Sequence, residues 1–217
     1  MASLSVSLPH RPNTVLAVLF ALALAMISAL APGQAQAQSL AQTQSAAPGD
    51  LLRALQQGGL VVYFRHAATT WSGVDSIDWP RERQRLLSEQ GIKDSKAIGA
   101  AIKAMGIPVG EVIASPFARC RDMAEIAFGR VEERDELLGL LSDRDGHPAR
   151  IAYMRDRVSS LTQPGLNRMI VAHRSNIAAV ADVSLREGEA VVLRPLGGGR
   201  FDVLGTLAPE DWSPDLL

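Results

Sequence analysis

Apolar residues along this chain fall into two patterns. Short unbroken runs, "LVVYF" from Leu60, "VIA" from Val112 and "MIVA" from Met169, have the β-branched and aromatic content of strands buried on both faces. Between them the spacing is helical. In "LSEQGIKDSKAIGAAIKAMG" the residues Leu87, Ile92, Ile98 and Ile102 mark one face, and Gly106 with Pro108 stops the helix. "EVIASPFARCRDMAEIAFG" repeats the design as a strand over Val112–Ala114, a Ser-Pro break and a helix ending at Gly129. "NRMIVAHRSNIAAVADVSL" is a third copy, with a strand over Met169–Ala172 and a helix beginning near Asn176. A short helix, "LLRALQQGG", capped by Asp50 and ended by Gly58 and Gly59, precedes the first strand. "EAVVLRPLGGGRFDVLGTL" predicts two late antiparallel strands around a glycine-rich turn. Strands alternating with helices predict an α/β fold, a three-layer αβα sandwich around a mostly parallel central sheet.

The N-terminal part has a different pattern. His10 and Arg11 precede the apolar run "TVLAVLFALALAMISALA", and Ala35 and Ala37 are spaced for cleavage before Gln38, so residues 1–37 are expected to be a signal peptide. The alternative is an uncleaved anchor, since Thr14 to Ala31 could nearly span a bilayer. Residues 38–49 are small and polar, as in a flexible spacer, which leaves 50–217 as a single domain. The expected location is periplasmic or secreted, with no stable membrane association after cleavage and a monomeric chain.

Composition narrows the partners. With 22 Lys and Arg against 23 Asp and Glu the net charge is −1, and there is no basic stripe or tail, which argues against nucleic acid. The single cysteine, Cys120, excludes an internal disulfide, and no Cys or His cluster has zinc spacing. Neither a cofactor nor a metal is expected.

The candidate chemistry sits where the strands stop. In open α/β sheets, ligands bind beyond the carboxyl ends of the strands. Each placeable strand ends there in polar, mostly cationic residues: Arg65 and His66, then Ser115 and Arg119, then His173 and Arg174. If the three strands are neighbours, two guanidiniums and two imidazoles converge. A tetrahedral phosphate has the oxygens to accept from all of them. His147, in "DRDGHPAR", has no partner motif and is expected in a loop.

These motifs resemble the histidine phosphatase superfamily, the phosphoglycerate mutase-like group. "RHAATTW" matches its Arg-His-Gly motif at Arg65 and His66, with Thr69 and Trp71 following; "LSEQG" matches its helix start; "SPFARCRDMA" matches its second arginine motif at Arg119; and "MIVAHRSN" supplies its second histidine at His173. The sequence departs from the pattern at Ala67 for Gly, Ala68 for Glu, Met123 for Thr and Arg174 for Gly or Asn. The resemblance implies a metal-independent phosphatase that forms a phosphohistidine on His66, with Arg65, Arg119 and His173 around the phosphoryl oxygens and Thr69 binding substrate. The substrate would be a small phosphoester or an envelope phosphate group.

The family's proton donor lies in chain order between the second arginine and the second histidine, where Asp143 stands; Asp78, on the loop expected to cover the pocket, is the other candidate. The alternatives are a phosphate-binding pseudo-enzyme, a phosphohistidine phosphatase and a mutase.

Overall fold

The computed structural model of the protein describes residues 45–141 and 144–217. The expected signal peptide, most of the expected spacer, and Asp143 lie outside the described residues. The fold begins before Asp50. The Ala46 backbone N–H donates to the Leu204 carbonyl at 2.9 Å, and helix α1 (Pro48–Gln56) starts with Pro48 in its first turn and Ala47 as N-cap. Asp50 is therefore no cap. It lies inside the first turn, where its charge suits the helix N-terminus, and pairs with Arg53.

Next in the chain come β1 (Val61–Arg65), α2 (Glu89–Ala104), β2 (Val109–Ala114), α3 (Ala118–Phe128), β3 (Glu132–Glu133), α4 (His147–Ser159), β4 (Asn167–Ala172), α5 (Arg174–Ala181), β5 (Ala190–Gly197) and β6 (Arg200–Leu207). The six strands form one sheet in the order β3-β2-β4-β1-β5-β6. β3, β2, β4 and β1 run parallel, and β5 and β6 are antiparallel additions. β2, β4 and β1 are thus neighbours, with Arg65 opposite Ala172 and Ala114 opposite Val171. This register brings the three strand ends level.

The fold has three layers because each central strand is apolar on both faces. Val62, Phe64, Met169 and Val171 pack with α1, α2 and α3, while Val61, Tyr63, Ile170 and Ala172 pack with α4 and α5. Two observations differ from the sequence expectations. Helix α5 starts at Arg174, directly after the strand, and His147 opens α4 instead of lying in a loop. α4 has a weak apolar stripe, with Met154 and Val158 fully buried and Ile151 partly so, and its polar remainder hides the period.

Two contacts fix the segment after β1. Ser88 caps α2, accepting from the Gly91 N–H at 3.1 Å, while its own N–H and hydroxyl donate to the Ala68 carbonyl at 2.9 and 3.2 Å. Gly91 is required for that approach, since a Cβ there would stand 2.2 Å from the Ala68 oxygen. The "LSEQG" pattern is therefore a clamp on the loop that follows His66.

Candidate active site at the carboxyl edge of the sheet

His66 leaves β1 with its backbone N–H bonded to the Ala172 carbonyl at 3.0 Å, and its ring is buried. Its Nδ1 lies 3.0 Å from the Ala67 carbonyl. A carbonyl only accepts, so Nδ1 carries the proton and Nε2 keeps a free lone pair. Burial, then the charge of Arg119, pushes the His66 pKa down to about 3, and the ring is neutral.

His173 ends β4. Its Nε2 is 2.9 Å from the Ser115 hydroxyl and its Nδ1 accepts from Arg119 Nη2 at 3.4 Å, so the Nε2–H donates to Ser115. Burial, then Arg119 and His66, holds its pKa well below the ordinary value. Tyr63 donates to the His173 carbonyl at 2.7 Å from beneath the sheet, and Phe117 meets the ring edge-on at 5.4 Å. Cys120 lies 3.9 Å from His173 Nε2; burial pushes its thiol up to about 12, so it stays protonated.

Arg119, on the first turn of α3, lies over the Phe117 ring at 4.2 Å. Its Nη1 donates to Asp75 Oδ2 at 2.5 Å, and both side chains are buried. Asp75 Oδ2 also accepts from the Arg85 backbone N–H at 3.1 Å. Two polar atoms of this pair, Arg119 Nε and Asp75 Oδ1, are buried without a hydrogen-bond partner.

The other sequence candidates lie around this cluster. Arg65 donates to the Leu185 carbonyl at 3.1 Å and to Glu187 at 3.2 Å. The Thr69 hydroxyl donates to the Trp71 carbonyl at 3.0 Å and accepts from Arg85 at 2.6 Å, so it braces the loop. Arg85 also reaches Glu187 at 3.3 Å. Arg174 is exposed. Asp78 is exposed too, and its nearest polar partner is Ser76. The loop's buried acid is thus Asp75, three residues earlier. Gln84 pins the loop over the site by donating to the Trp79 carbonyl at 2.9 Å and accepting from the Ala118 N–H at 3.0 Å.

Asp75, Arg85 and Glu187 were not singled out from the sequence. The only signal was an acid in a polar loop after a strand that ends in Arg-His.

A surface groove of about 650 Å³ lies at the opposite edge of the sheet. Its cations are already committed: Arg168 to Glu111, and Arg130 to the carbonyls of Val109 and Gly110. The candidate site residues gather instead at the carboxyl edge, under the loop after β1. Among the described residues, no group of three or more His, Cys, Asp or Glu side chains could hold a metal ion, and no helix is long and apolar enough to cross a membrane.

Fold and cluster give an α/β protein in which Arg119 stands beside two neutral imidazoles at the carboxyl edge of the sheet, an arrangement with donors that could meet a tetrahedral oxyanion. The sequence profile of the histidine phosphatase superfamily (branch 1) matches residues 61–145. With the motifs and the sheet, this match makes the part of the chain from residue 61 to residue 145 similar to the histidine phosphatase superfamily.

No curated protein matches the sequence. Among solved structures, a protein of Escherichia coli K-12 with a proposed alpha-ribazole-5'-P phosphatase activity aligns at 16% identity and a TM-score of 0.52, over 70% of this chain and 98% of its own. The protein histidine phosphatase SixA, complexed with tungstate, aligns at 16% identity and a TM-score of 0.50, over 70% and 98%. The protein TTHB049 of Thermus thermophilus gives 16% identity and a TM-score of 0.50, over 69% and 99%. At such identities the likeness establishes the fold.

Proposed function

We propose that this protein is a phosphatase of the histidine phosphatase superfamily and hydrolyses phosphomonoesters without a metal, through a phosphohistidine formed on Nε2 of His66. The observation that carries this is the tautomer of His66. Nδ1 is committed to the Ala67 carbonyl, which leaves Nε2 unprotonated in a ring that stays neutral near pH 7.

In the first step the Nε2 lone pair attacks phosphorus, the P–O ester bond breaks, and its electron pair leaves with the ester oxygen. Water then attacks the phosphohistidine, the N–P bond breaks, and phosphate departs. Catalysis is otherwise a matter of placing positive charge. Arg119 offers an unpartnered Nε beside the Nη groups already in use, His173 lies against Arg119, and Arg65 and Arg85 add positive potential. The N-terminal pattern supports an enzyme exported to the periplasm, acting on a small phosphoester or an envelope phosphate group.

Rapid alkaline quench of enzyme mixed with phosphate-labelled p-nitrophenyl phosphate tests the intermediate. Acid-labile label should appear on the wild-type protein and be missing from His66→Ala. Label retained in the variant overturns the assignment. Phosphate bound without turnover would instead favour a pseudo-enzyme that keeps the anion pocket.

A further inference from the structure

Asp75 is the least expected group in the site. A carboxylate from the loop after β1 is buried against Arg119, the arginine in contact with His173, at 2.5 Å from Nη1. Only Oδ2 is used, by Arg119 and by the Arg85 backbone. Oδ1 is buried without a partner, as is Arg119 Nε. Unpaired buried polar atoms are costly, and two in one ion pair indicate a missing neighbour. A phosphoryl oxygen satisfies Arg119 Nε directly. A carboxylate oxygen cannot face a phosphoester oxygen in the same way, because both are acceptors. Oδ1 can meet it only with a proton between them. In the free site Asp75 is the carboxylate partner of Arg119, so this proton arrives with a monoanionic phosphoester as it binds, and it leaves again with the phosphate product.

We propose that Asp75 is the proton donor to the leaving group, with Oδ1 as the donating atom. The proposal rests on the phosphoryl-transfer reading above. As His66 Nε2 bonds to phosphorus and the P–O ester bond breaks, the Oδ1 proton passes to the ester oxygen, and the product leaves as a neutral alcohol. Asp75, now a carboxylate, is held by Arg119 and the Arg85 N–H. In the second step it takes a proton from the attacking water while the N–P bond breaks, which returns the carboxyl to its starting form. Protons and electron pairs balance over the cycle.

The role selects a substrate class. An alkoxide leaves poorly and needs the proton, whereas a phenolate does not. Asp75 is therefore fitted to esters of aliphatic alcohols, including sugar hydroxyls, in preference to phosphohistidine. The closed loop agrees with this placement, since Gln84 ties it to the start of α3 and so keeps Asp75 and Arg119 on one support.

The test is Asp75→Asn in the otherwise unchanged protein, assayed on glycerol phosphate and on p-nitrophenyl phosphate. Asparagine keeps the size and an acceptor for Arg119, but has no proton to transfer. Formation of labelled phosphohistidine from glycerol phosphate, followed by rapid alkaline quench, should slow by roughly 100-fold or more, within the usual range for a positioned acid, while its formation from p-nitrophenyl phosphate changes by no more than a few-fold. Thermal melting and inorganic phosphate affinity, measured alongside, should stay near wild type. An equal loss on both esters overturns the proposal, because it would mean that Asp75 merely orients Arg119. An equal gain with tighter phosphate binding overturns it too, because the carboxylate would then be a plug in the anion site. Wild-type protein that hydrolyses phosphohistidine but neither ester sinks the donor role and leaves His66 chemistry intact. Wild-type protein that binds phosphate and turns over none of the three removes the underlying reading itself.

Discussion

His66 and His173, from the ends of neighbouring parallel strands, stand edge to face with ring centroids 5.7 Å apart. Their protons point away from each other's lone pairs in a defined way: His66 is protonated on Nδ1 toward the Ala67 carbonyl, and His173 on Nε2 toward the Ser115 hydroxyl. A pair of imidazoles this close, walled by Arg119, holds no charge of its own. The positive potential of the site therefore comes from arginines, and His66, as the proposed nucleophile, would need no deprotonation step near neutral pH.

That arrangement makes stability depend on pH. Both rings bind protons less readily in the folded protein than in the unfolded chain, His66 at about 3 against an ordinary 6.5. Between those values the unfolded chain holds more protons, so the stability contributed by keeping the rings neutral is present above pH 6.5 and is lost as the pH falls toward 3. Urea unfolding of wild type and His66→Asn between pH 7 and 4.5, in phosphate-free buffer, measures it. Each ring should add up to about 1.4 kcal/mol of loss per pH unit, and the variant should show the shallower slope. Equal slopes would mean that His66 is already hydrated and free to titrate.

Arg119 is tied to three groups at once: Asp75, His173 and the face of Phe117. Lysine can replace its charge but not a planar fork that donates in two directions. Arg119→Lys should lower kcat/KM for p-nitrophenyl phosphate on the order of 100-fold, comparable to losing one fixed donor at a transition-state oxygen. Inorganic phosphate should bind more weakly as well. A near-wild-type rate would place this guanidinium outside the reacting group's reach.

The strands were legible because β1 and β4 are buried on both faces, which leaves an unbroken apolar run with no competing period. Their polar endings were legible for the same reason, since Arg65-His66 and His173-Arg174 interrupt such runs abruptly. Helix α4 was not, because its buried stripe is too narrow against Arg150, Arg155, Asp156 and Arg157 to show a period. The Asp50 cap failed because Pro48 had already fixed the first turn. On the covering loop Asp78, one of two candidate acids beside Asp143, is exposed, whereas Asp75 is buried against Arg119. Which carboxylate of an irregular loop turns inward is decided by distant partners, here Arg119, 44 residues away, and by the Gln84 tie to α3. No local period carries that information.

Two glycines of α2 separate support of the site from support of the fold. A Cβ at Gly91 would lie 2.2 Å from the Ala68 oxygen, and one at Gly99 would lie 2.3 Å from the Ala127 oxygen on α3. Both obstacles are backbone, so something must shift in each case. Overpacking of this kind costs about 1–3 kcal/mol, offset in part by the better helix propensity of alanine. Gly91→Ala and Gly99→Ala should both lower the melting temperature. Their effects on catalysis should differ, because Ala68 is two residues from His66, whereas Ala127 lies in the last turn of α3, away from Arg119 in its first. Displacing the Ala68 carbonyl also loosens both Ser88 hydrogen bonds that hold the loop. Assayed well below either melting point, Gly91→Ala should lose kcat/KM by ~10-fold or more, since a misplacement of about 1 Å is enough for such losses, while Gly99→Ala stays within about two-fold of wild type. Equal losses in the two variants would show that general destabilisation, and not the clamp between α2 and the loop after His66, governs the geometry of the pocket.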